Sequence, residues 1–154
     1  MTPAISFVVE AQKWRKAGLI PQLRRAASLA WTRGAKNTAR AEFTVLLAGD
    51  AKLRALNAKF RRKHKPTNVL SFPAADGGPY LGDIALAFGV AAREAKDGGK
   101  PFAAHASHLV VHGVLHLLGY DHERAREARD MEALETRILA ELGIADPYAA
   151  RRAA

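Results

Sequence analysis

The segment "HLVVHGVLHLLGYDH", from His108 to His122, carries four histidines in fifteen residues, set among valines and leucines. An imidazole is awkward to bury, because both ring nitrogens need partners. A helix turns about 100° per residue, so with His105 as origin, His108, His112 and His116 fall at about 300°, 340° and 20°. These four histidines therefore form one stripe within roughly 80° of arc. Leu109, Val110, Val111, Val114, Leu115 and Leu117 occupy much of the remaining circumference. The expectation is a largely buried helix whose histidine stripe faces a pocket or a polar seam.

His112 and His116 stand four residues apart, one above the other, close enough to chelate a single ion. Gly119 lets the chain leave the helix, and "GYD" can swing His122 back to the same point. This H-x3-H-x5-H spacing, with a glycine seven residues after the first histidine, matches the ligand pattern of metzincin metalloproteases. Three histidines and one open position make a catalytic rather than a structural zinc site. One departure matters. The protease motif has a general-base Glu directly after the first histidine, and here that residue is Gly113. The metal grip is kept and the peptidase base is absent. His108, one turn earlier, either relays a proton or only orients a ligand. Asp83 and Asp121 are each read either as a carboxylate behind a ligand imidazole or as a local turn cap.

These residues need a frame to hold them. The chain has 154 residues, enough for one domain with its own core. It has no cysteine, which excludes disulfides, thiolate ligands and a cysteine nucleophile. Its hydrophobic pattern predicts strands at Ala4–Glu10, Ala41–Gly49, "TNVLSF" and "YLGDIALAFG", the last two paired antiparallel across a Gly-rich turn. Helices are expected after Pro21, after Asp50 acting as a cap with Leu53, Leu56 and Phe60 on one face, through "VAAREAKD", through the histidine segment and through "REARDMEALETRILAEL". The fold class is α+β: one domain with a mixed sheet of about four strands, about five helices and a metzincin-like zinc helix. The core is placed at about residues 4–143, with a flexible tail over 144–154. The N-terminus lacks the pattern of a signal peptide and no apolar run could span a bilayer, so no membrane partner and a cytoplasmic location are expected. The net charge of +9 suggests a polyanionic partner, most simply nucleic acid.

"HGVLHLLGYDH" (His112–His122) resembles the signature of the YbeY family of endoribonucleases and rRNA maturation factors. "KPTNVLSFP" (Lys65–Pro73), "LGDI" (Leu81–Ile84) and "MEALE" (Met131–Glu135) stand around it in the expected order. The resemblance covers roughly residues 40 to 142. It implies one zinc ion (Zn2+) per chain on His112, His116 and His122, although other divalent transition metals also suit three imidazoles. It implies single-strand-specific cleavage of RNA, maturation of the 3′ end of 16S rRNA, and ribosome quality control beside small-subunit proteins. By motif it gives the functional arginine to Arg61, with Arg62 adjacent. His64 and Ala106 stand where the family often has Asp and Trp.

On that reading Arg61 and His108 are the candidate catalytic residues. Arg61 pairs with phosphoryl oxygens. Arg61, Arg62, Lys63 and Lys65 form a rim that tracks RNA phosphates. Two other functions compete with a zinc-dependent endoribonuclease. One is an RNA-binding ribosome-assembly factor whose metal is mainly structural. The other is a metal-dependent protease or other hydrolase.

Overall fold

Alternation sets the first strand: along β1 (Ala4–Val9), Ile5, Phe7 and Val9 turn inward while Ala4, Ser6 and Val8 stay exposed. The computed structural model describes residues 2–37 and 39–153. After β1 come α1 (Gln12–Ala17), α2 (Ile20–Gly34), β2 (Glu42–Ala48), α3 (Asp50–Arg61), β3 (Val69–Pro73), β4 (Tyr80–Ala87), α4 (Phe88–Asp97), α5 (Phe102–Leu117), α6 (Ala125–Glu141) and α7 (Ala149–Ala153). The sheet order is β1-β2-β4-β3. β1 and β4 run parallel to β2, and β3 runs antiparallel to β4 at the edge. The expected four-stranded mixed sheet is present. Two short helices, α1 and α7, were not read from the sequence.

The two faces of the sheet are covered unequally. Phe43, Val45 and Leu47 on β2, with Ile84 and Leu86 on β4, pack with α2 and α5 in the main core. On the opposite face, Leu53 and Leu56 of α3 pack with Ala48, Leu70, Ala85 and Ala87. α5 is held tightly on two sides by glycines. A Cβ at Gly113 would stand 2.8 Å from Ile84 Cγ2, and one at Gly34 would stand 2.7 Å from Leu115 Cδ2. Each glycine therefore lets α5 approach a neighbour more closely than any other residue allows.

One local expectation needs correction. Asp50 does not cap α3, because Gly49 holds the cap position and makes no side-chain bond. The Asp50 carboxylate instead accepts from the Val90 amide at 2.9 Å and from Arg93 at 2.9 Å. It satisfies the open first turn of α4, where backbone N–H groups lack helical partners. Phe60 does not share the burial of Leu53 and Leu56, being 54% exposed. Past Gly143, Ile144 packs on the main core and the Tyr148 hydroxyl donates to Glu135 at 2.9 Å.

Candidate metal centre

With its sheet and α2 sides fixed by glycine contacts, α5 can turn its histidine stripe only toward α4, α6 and an open cleft. His105 Nε2 lies 2.9 Å from Glu94 on α4. His108 Nε2 lies 2.7 Å from Glu135 Oε2 on α6. His112 and His116 line the cleft. Gly119, at φ +97°, then releases the chain, and the Tyr120 hydroxyl donates to Gly34 O at 2.9 Å. That bond ties the turn to the end of α2 and brings His122 back over α5.

The Nε2 atoms of His112 and His116 are 3.0 Å apart. The His122 ring centroid is 5.6 Å from that of His112 and 5.1 Å from that of His116. One nitrogen from each ring lies within 4.8 Å of the other two. Burial, and then the neighbouring His112 and His122 rings, push the His116 imidazole down to about 4. The ring is therefore neutral near neutral pH, and its lone pair is available.

Glu135 is the residue that sequence reasoning missed. It is buried on α6 among Met131, Ile138 and Leu139. Its Oε1 lies 3.3 Å from His112 Nδ1, and its Oε2 accepts from the Tyr148 hydroxyl. Burial alone would raise its carboxyl, but hydrogen bonds from His108 and His112 outweigh that and hold it at about 2. Burial and the Glu135 charge push the Tyr148 phenol up, so it remains a donor. An ionised carboxylate behind Nδ1 keeps the proton there and leaves the His112 Nε2 lone pair facing the cleft. Three converging imidazoles, one backed by a carboxylate, with no thiolate and an open side, fit a catalytic zinc site.

The cleft encloses about 840 Å³ and is lined by Arg61, Lys63 and Lys65 as well as by the three histidines. An Arg61 Nη atom donates to Ser71 O at 2.8 Å. Buried Asn57 holds the basic loop through a bond from its Nδ2 to Lys65 O at 2.9 Å. Arg62 takes a left-handed conformation (φ 57°) at the end of α3 and does not line the cleft. Thr67 and Ser71 do line it, but Ser71 Oγ is committed to Gly113 O at 3.2 Å. His108 stands behind the cleft with Glu135, and His64 lies outside the lining. Asp121 lines the cleft and accepts from the His122 amide at 2.7 Å. Asp83 is not behind a ligand. It lines a groove on the far face of the sheet and accepts from the Tyr80 hydroxyl.

A family model described as Endoribonuclease YbeY matches residues 8–143. A Rhodopseudomonas palustris protein named Endoribonuclease YbeY is 52% identical over 96% of this chain and 82% of its own length. A Nitrobacter winogradskyi protein of the same name is 49% identical over 96% of this chain and 83% of its own. The solution structure of TM1509 from Thermotoga maritima is alike in fold, with a TM-score of 0.65 at 23% identity, covering 97% of this chain and 92% of that one. The likeness to the named relatives runs through the whole frame that positions the three histidines, and the chain belongs to the YbeY family of endoribonucleases.

Proposed function

We propose that the cleft holds one zinc ion on His112, His116 and His122 and cuts single-stranded RNA, with the 3′ end of 16S rRNA as its target. Small-subunit proteins of the ribosome would be its partners, and the cytoplasm its location. The reaction class is that of the family, hydrolysis of RNA phosphodiester bonds. No described helix is long and apolar enough to cross a membrane. The observation that carries the reading is the convergence of three imidazole nitrogens in a cleft that also presents Arg61, Lys63 and Lys65.

A zinc ion held there supplies Lewis acidity toward a phosphoryl oxygen and a lowered pKa for bound water. The chain's own residues do the rest. Arg61 spends one N–H on Ser71 O, which holds its guanidinium in place. The remaining donors of its planar fork are free to grip two phosphoryl oxygens as charge builds there. Lys63 and Lys65 bind flanking phosphates. His108 acts through Glu135, which in turn orients His112. Gly113 offers no base, and Ile84 fills the space a side chain there would need. That packing speaks against a metzincin-type peptidase. The openness of the histidine cluster to the cleft speaks against a purely structural metal.

The test is metal content and cleavage of a single-stranded rRNA fragment by the wild type, His116→Ala and Arg61→Ala, prepared free of contaminating nucleases. The wild type should carry about one metal and cut. His116→Ala should lose both properties, and Arg61→Ala should keep the metal and lose cutting. Equal cutting by all three would overturn the reading in favour of an RNA-binding assembly factor.

A further inference from the structure

β3 is an edge strand with a different surface on each side. Ser71 turns toward α5 and the cleft, while Phe72 turns to the opposite face of the sheet. Pro73 lines both the cleft and the groove behind it. That groove encloses about 600 Å³, within the range of small-ligand sites, and Phe60, Phe72 and Tyr80 are among the residues lining it. Phe60 is 54% exposed at the end of α3 and meets Phe72 edge-on at 5.2 Å. A lone exposed phenylalanine is ordinary. This one and its neighbour Phe72 each lie beside a cation: Lys59 Nζ is 5.2 Å from the Phe60 ring, and the Arg61 guanidinium carbon is 5.8 Å from the Phe72 ring. The groove also has a polar end, where the Tyr80 hydroxyl donates to Asp83 and lies 2.7 Å from Thr44 Oγ1.

We infer that this groove is a second RNA-binding site, in which an unpaired base of the strand leaving the metal cleft stacks on Phe60. The inference rests on the cleft being the RNA site. Arg61 joins the two surfaces, since it lines the cleft on one side of β3 and lies against Phe72 on the other. A strand crossing the β3 edge therefore meets a cation for its phosphate and then aromatic rings for its base. That pairing of charge and stacking is how single strands are held without sequence readout. A base already stacked inside a duplex cannot offer its face to Phe60, so the groove also favours unpaired RNA. The carboxylate of Asp83 accepts an N–H from the edge of the inserted base.

The test uses the metal-loaded protein and a short single-stranded 2′-O-methyl oligoribonucleotide carrying 4-thiouridine. Phe60→Ala should weaken binding by about ten-fold or more, the effect of losing one base–aromatic stack. Phe60→Trp should bind as the wild type does, with indole fluorescence quenched on binding. Photocrosslinks should fall on Phe60 or Phe72. Unchanged affinity in Phe60→Ala, with no crosslink in the groove, would overturn the inference and leave the groove to another partner, such as a protein segment. The cleft reading would then stand. Failure of the wild type to bind the oligonucleotide at all would overturn both.

Discussion

At the scale of single residues, a buried carboxylate stands behind one of the three clustered histidines. Glu135 accepts from His108 and Tyr148 and faces His112 Nδ1, so its removal should loosen the proposed ligand His112 although the carboxylate does not itself line the cleft. Glu135→Gln keeps the shape and removes the charge. Its metal affinity, measured by competition with a chelator, should fall about 10- to 100-fold. A wild-type affinity in this variant would remove Glu135 from the site. Acid should act on the same cluster. His116 titrates at about 4 in the folded protein and near 6.5 unfolded, so between these values the unfolded chain binds more protons. Metal-free protein should therefore lose stability as pH falls from about 6.5 to about 4. Glu135, held at about 2 against an ordinary 4.5, contributes stability that is whole above 4.5 and lost as pH falls toward 2. Urea midpoints across that range should fall steadily in the wild type, and His116→Ala should be flatter between 6.5 and 4. The convergence of His112, His116 and His122 was legible in the sequence because their spacing encodes one point in space. Glu135 was not read out, although a carboxylate between Met131 and Ile138 on an apolar stripe is a visible anomaly. What it contacts depends on how α6 crosses α5, and spacing within one helix does not encode that.

At the scale of elements, the position of α5 depends on how closely it meets the sheet. Gly113→Ala should gain up to about 1 kcal/mol of helix propensity. It also drives a methyl to 2.8 Å from Ile84 Cγ2 and within 3.3 Å of two more Ile84 atoms in a packed core. Overpacking of this kind costs about 1–3 kcal/mol, so the net effect should be a loss of up to about 2 kcal/mol in urea unfolding. Ile84→Val alone should cost about 0.5–1.5 kcal/mol. Combined, the two changes should cost less than their sum, because one makes room for the other. Strict additivity would mean that α5 does not press on β4 at this point. Periodicity gave α5 and the four strands, and the Gly-rich connection gave the antiparallel pairing of β3 with β4. Phe60 keeps the face of Leu53 and Leu56 but lies against Phe72 at an open groove of the sheet, so a shared face did not make it buried. Asp50 was given to the wrong helix, because a capping carboxylate next to one helix can serve another brought to it by the fold.

At the scale of the whole molecule, a net charge of +9 acquires meaning only from where the charges stand. Much of it is scattered, and part is neutralised in surface pairs such as Arg33 with Glu141 and Arg93 with Asp50. Such exposed pairs contribute little to stability. The basic loop after α3 is different. Asn57 holds Lys65 O from inside the protein and Asn57 O accepts from the Lys63 amide, so two cations are carried to the cleft wall on a fixed backbone. If each neutralises one phosphate, binding of a single strand should show a log–log salt slope that includes about 0.7 per lysine. Lys63→Ala with Lys65→Ala should therefore flatten the slope by about 1.4 while weakening all single-stranded sequences alike. Arg62→Ala, which removes one charge outside the cleft lining, should leave the slope within error of the wild type. A flattening of about 0.7 from Arg62 alone, the same as per cleft lysine, would mean that the overall charge of the protein, and not the wall of the cleft, gathers the RNA.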